Sequence, residues 1–224
     1  MWNGYAWASQ GIPSTSVPNI VVFTASGVYT PSPNLLRAIV EVVGGGGGGS
    51  GLAATANAVT GCGGGGSGGY SKKTLTAAQI GVSQTITIGA GGAGAVAAAT
   101  ANSGGDTSFG ALCIAKGGSG NSGLSAGLGG PVTGAVGDVI SAGAPGIHGS
   151  QITLGQGNSA AGDGGSSVYG GGGIGAPLGA NGTSGNGNPA SNYGSGGGGG
   201  MCTNGPACNG GNGSAGVCII TEFR

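Results

Sequence analysis

Short stretches of alternating or unbroken apolar residues mark out the first texture of the chain. Residues 21–24 (VVFT) lead through the turn-like Ala25-Ser26-Gly27 to Val28-Tyr29-Thr30, and 35–43 (LLRAIVEVV) follows a bend at Pro31 and Pro33. Further on come 84–88 (QTITI), 111–115 (ALCIA) and 217–223 (VCIITEF). All are rich in β-branched residues and bounded by Gly or Pro, which predicts strands. Glu41 and Glu222 alternate with apolar neighbours and read as outward-facing strand residues. Because the stretches gather at the beginning and the end of the chain, the two ends are expected to pair in one small β-base. It would be built from about 23–43, 70–90, 106–116 and 216–223.

The second texture is glycine. Runs at 44–49, 63–66, 170–173 and 196–200 are unbroken. Elsewhere glycine recurs every third residue, as at Gly117, Gly120 and Gly123 or at Gly210, Gly213 and Gly216. A period of three matches an extended left-handed helix with three residues per turn, whose N–H and C=O groups point sideways and must find partners. Collagen is rejected because the register breaks and proline is sparse. The expected fold class is therefore mostly β/irregular: a β-base plus a bundle of short polyglycine-II helices, with Gly46, Gly48, Gly64, Gly172 and Gly198 as structural glycines. Flexible linkers would instead place Ser and charge between the runs. Strand 35–43 enters one run and another returns toward Tyr70, so the intervening segments are expected to be loops remote from the base. Loops on a rigid scaffold are the usual place for recognition. The receptor-contact candidates are Leu52, Asn57, Asn102, Asn121, Ile147, His148, Leu178, Asn181, Tyr193, Met201 and Asn204. For His148 simple solvation is the plainer alternative.

Composition narrows the function. Of 224 residues 62 are glycine and 9 proline, only 4% are charged, and the formal net charge is zero. Ordering a glycine costs roughly 0.5–1 kcal/mol more than ordering an alanine, so an ordered chain must gain something that only close backbone approach provides. Five Lys and Arg in all, with Lys72-Lys73 the only pair, argue against nucleic acid. No apolar run reaches the length of a membrane span, and MWNGYAWASQ has neither the basic nor the apolar region of a secretory signal. No HExxH, GxxxxGK[ST] or clustered carboxylate pair occurs, so no enzyme, metal or cofactor is expected. Asp106, in GGDTSFG, is assigned an Asx-turn with its own backbone. Five cysteines lack metal-ligand spacing. Cys113 and Cys218 read as small buried hydrophobes. Cys202 and Cys208 bracket TNGPA and either close a disulfide or stay free thiols.

The stretch FTASGVYTPSPNLLRAIVEVVGGGGGG, then GGYSKKTL, QTITIGAGGAG, GGDTSFGALCIAKGG and the closing GGNGSAGVCIITEF, resembles the glycine-rich domain at the C-termini of many phage tail-fibre proteins. The resemblance covers about Phe23 to Phe223. It extends to the polyglycine-II adhesins capping the long tail fibres of T-even-like phages. It implies a receptor-binding domain over 23–224 that recognises a bacterial surface protein or glycan, in the virion, at the distal tail fibre. Residues 1–22 depart from the pattern. Trp2, Tyr5 and Trp7 there either dock onto a fibre shaft or a homotrimer, or belong to a simple tether. The competing classes are a structural subunit of an extracellular filament or surface layer and, further off, an ice-binding protein.

Overall fold

The β-branched stretches at the two ends of the chain lie side by side. Strand β1 (Asn19–Phe23) is antiparallel to β13 (Val217–Phe223), which in turn pairs with β3 (Arg37–Val43). Adding β5 (Tyr70–Thr76) and β9 (Val139–Ser141) gives a five-stranded sheet in the order β1-β13-β3-β5-β9. The structure, a computed structural model, describes residues 17–155 and 159–224. The aromatic cluster Trp2, Tyr5 and Trp7 lies outside the described residues.

A second sheet, β2-β6-β7-β8, is made by Gly27–Tyr29, Gln84–Thr87, Thr107–Phe109 and Cys113–Ala115. It packs on the first. Ala38, Val40, Val42, Leu75, Cys218 and Ile220 from one sheet meet Tyr29, Ile86, Phe109, Cys113 and Ala115 from the other in a single buried cluster. Burying side chains of this size stabilises by roughly 1.5–3 kcal/mol each for the larger ones. A four-residue helix, α1 (Ala77–Ile80), turns the chain from β5 to β6. Thr76 and Gln79 form its capping box, and Gly81 at φ +73° ends it. As small hydrophobes in this core, Cys113 and Cys218 have their thiols pushed up to about 12 by burial.

Glu222 departs from the outward orientation expected of it. It shares the inward face of β13 with Cys218 and Ile220 and is 1% exposed. Burial pushes its carboxyl up, but hydrogen bonds outweigh that and hold it down at about 2. Asn19 Nδ2 donates at 2.7 Å, Ser32 Oγ at 2.6 Å, Tyr29 OH at 2.6 Å and Ser32 N at 3.0 Å. A buried carboxylate is tolerable when its lone pairs are filled in this way.

The third sheet was not expected. It has the order β10-β4-β12-β11, from Gln151–Thr153, Ala58–Gly61, Met201–Thr203 and Thr183–Gly185. Segments read as loops thus supply strands. The chain leaves β3 through 44–57 to reach β4, and returns through 62–69 to β5. Eight extended residues span at most roughly 28 Å, which bounds the separation of this sheet from the first.

The expected bundle of polyglycine-II helices is corrected accordingly. Among the described residues the regular structure is three antiparallel sheets and one four-residue helix, with no helical bundle and no polyglycine-II helix. The glycine segments are extended straps: 44–57 and 62–69 run between the first sheet and the third, whereas 88–106 leaves and re-enters the second sheet and 186–200 the third. Their backbone groups are nonetheless paired. Along the first strap Gly44, Gly47 and Ser50 donate to Gly69, Gly66 and Gly63; Gly45 and Gly48 donate to Gly105 and Asn102; Gly46 and Gly49 donate to Ser214 and Gly211. Each bond is 2.8–3.0 Å long. Three neighbours are addressed in rotation, which accounts for all seven buried donors. A Cβ at Gly46, Gly48, Gly64, Gly172 or Gly198 would overlap the carbonyl of Ser195, Ala93, Asp163, Gly164 or Ile174 respectively.

Candidate functional site

At the third sheet, three connecting loops converge on one side chain. Loop 52–57 leads into β4, loop 178–182 leads into β11, and loop 204–207 follows β12. Asn204, at φ +46°, accepts from Asn57 N through Oδ1 at 2.8 Å and donates through Nδ2 to Asn181 Oδ1 at 3.0 Å. Its own N–H donates to Ala58 O at 2.8 Å. Asn57 is likewise left-handed, at φ +52°. Asparagine is the side chain that tolerates this backbone region and bonds locally from it. The turn 180–183 is closed by Thr183 N donating to Ala180 O at 3.1 Å, with Gly182 at φ +82°.

The outer surface of this end carries Ala53, Ala54, Ala56, Asn57, Leu178, Ala180, Asn181, Pro206 and Ala207, all exposed. Leu178 is 45% exposed. No charged residue occurs in 51–60, 176–190 or 201–209. Such a surface can recognise a partner through amide hydrogen bonds and small apolar contacts, and offers no ion pair.

The remaining candidates are distributed differently. Met201 is fully buried in β12 against Val59 and Ala176, so it presents nothing to a partner. Asn121 is buried: Nδ2 donates to Gly64 O at 3.3 Å and to Ser125 O, and it holds the turn 121–125. Leu52 is half-buried against Cys62, Cys202 and Cys208 and bridges Cys208 through its backbone. Tyr193 forms an isolated bridge with Tyr169. Asn102 is exposed but its carbonyl accepts from Gly48, which makes its backbone part of the scaffold. Ile147, 57% exposed, and exposed His148 sit on a separate loop, where His148 Nδ1 accepts from Ala126 N at 3.2 Å. The three-loop surface therefore keeps Asn57, Leu178, Asn181 and Asn204 from the eleven candidates.

Sequence reasoning missed the cross-linking asparagines. Asn209 Oδ1 accepts from Ala97 N at 2.9 Å, Asn186 Oδ1 from Asn209 N at 2.9 Å, and Asn212 Oδ1 from Gly94 N at 2.8 Å. Their signal was the repeated Asn-Gly dipeptide at 181, 186, 204, 209 and 212. Asp106 also departs from its assignment. It accepts from Gly117 N at 2.9 Å and pairs with Lys116, joining two strands rather than closing a local turn. All five cysteines are free thiols. Among the described residues no group of three His, Cys, Asp or Glu is placed to hold a metal ion.

Residues 24–222 match the family of glycine-rich domains. No curated protein matches the chain.

Proposed function

Because this chain belongs to the glycine-rich domain family, we propose that it is the receptor-binding tip of a bacteriophage tail fibre, an adhesin rather than an enzyme. Its partner would be a protein or glycan of the bacterial surface, met by loops 52–57, 178–182 and 204–207. The observation that carries the reading is the convergence of these three loops on Asn204. They are uncharged and solvent-facing, and they stand on a sheet tied to the base by straps whose backbone bonds are satisfied. Loops that are cross-linked to one another present a fixed surface and lose little entropy on binding. Attachment through the segment before β1, to a fibre shaft or within a homotrimer, belongs to the same proposal.

The test is adsorption of the labelled protein to a panel of bacterial strains, compared with variants in which 53–56, 178–181 or 205–207 is exchanged. Binding that follows the exchanged loops supports the assignment; binding that is indifferent to all three, or absent from every strain, overturns it. Since the surface has no charge, adsorption should change by less than roughly twofold between about 50 and 500 mM salt, where an ion-paired interface would weaken much more.

A further inference from the structure

We propose that Cys202 and Cys208 are a redox-active pair that closes to a disulfide across the 204–207 loop, with Cys62 remaining a thiol beside it. The two sulfurs lie 2.6 Å apart. Both residues are fully buried, together with Cys62, in a small cluster capped by Leu52. Their backbones are pinned independently. Cys202 sits in β12, in register with Thr60 on one side and Ser184 on the other. Cys208 exchanges two backbone bonds of 3.0 Å with Leu52. Neither backbone has to travel for the sulfurs to meet, and their Sγ atoms already face each other.

The oxidant is a low-molecular-weight disulfide, RSSR. One cysteine thiolate attacks RSSR and expels one thiolate, giving a mixed disulfide. The second cysteine attacks the protein sulfur of that bond and expels the other. The Sγ–Sγ bond forms, the R–S–S–R bond is consumed, and the two cysteine protons end on two RSH. Burial pushes the Cys202 thiol up to about 12, so the first attack is slow in the folded protein and needs opening of the 204–207 loop. Once made, the bond fixes the loop that carries Asn204. The inference concerns this chain's own chemistry and holds whatever the loops bind.

The full chain, purified under reducing conditions and then exposed to oxidised glutathione, tests this. Remaining thiols are alkylated and the protein is cut with hydroxylamine, which cleaves Asn–Gly bonds. Cleavage after Asn3, Asn181, Asn186, Asn204 and Asn209 puts Cys202 in fragment 187–204, Cys208 in 205–209 and Cys62 in 4–181. Fragments 187–204 and 205–209 joined by a reducible bond are the expected result. Closing so short a loop should also raise the melting temperature by roughly 5 °C. Cys62→Ser should keep that rise and Cys202→Ser should abolish it. Fragment 4–181 joined to 205–209, or alkylation of both Cys202 and Cys208 after prolonged oxidation, would overturn the proposal.

Discussion

Replacing Gly46 with alanine tests the packing of the straps. The added Cβ would overlap the Ser195 carbonyl and lie 2.8 Å from Gly196 N. The obstacle is backbone, so no side chain can swing aside, and the 195–196 segment must retreat by about 1.5 Å to reach ordinary contact. That segment is held by Ser214 N to Ser195 O at 2.9 Å, Gly196 N to Gly165 O at 2.9 Å and Gly173 N to Gly196 O at 2.8 Å. A retreat of that size breaks two of the three, at about 1–3 kcal/mol for each buried group left unpaired. Alanine recovers about 0.4–1 kcal/mol by restricting the unfolded chain. The net loss is about 1–5 kcal/mol, a large part of a domain's usual 5–15 kcal/mol, and lowers the melting temperature by roughly 2–20 °C. Calorimetry of Gly46→Ala beside Gly27→Ala provides the comparison. A Cβ at Gly27 meets Phe23 at an ordinary 3.6 Å, so that variant should melt at or slightly above the parent. Equal melting temperatures for Gly46→Ala and the parent would refute the close-contact argument.

Glu222 makes stability depend on acid pH. Its carboxyl is held at about 2 against an ordinary 4.5, so the folded state binds its proton less readily than the unfolded one. The contribution is complete above about pH 4.5 and is lost as pH falls through about 2, amounting to about 3 kcal/mol. Thermal melts between pH 6 and 2 should show this slope in the parent and a flatter one in Glu222→Gln, which should also melt lower at neutral pH. Asn204→Ala removes two side-chain bonds and strains a left-handed backbone, and should cost about 1–3 kcal/mol. Hydrogen exchange should show the Asn57 amide losing protection in both Asn204→Ala and Asn204→Gly, with Gly relieving only the backbone strain; unchanged protection in either would break the proposed link between the loops.

Strands 37–43 and 217–223 were legible in the chain because seven residues suffice for β-branched alternation to show. The same alternation carried the information that Glu222 faces inward, in phase with Cys218 and Ile220. Its formal charge argued the other way, and only the partners brought in from Asn19, Tyr29 and Ser32 resolve the conflict. The glycine runs announced, by themselves, that backbones would approach closely. Which backbones, and in what architecture, depended on partners far away in the chain, as where Gly46 donates to Ser214. The third sheet had no local signature: its strands are three or four residues long and rich in Gly, Ala, Ser and Thr, too short for a period of two to register. Tertiary structure alone therefore buried Met201 and Asn121, set the sulfurs of Cys202 and Cys208 face to face, and gathered three loops on Asn204. The physical reason is that period and propensity act over a few residues, whereas hydrogen bonds and burial between distant segments exist only once the chain has folded.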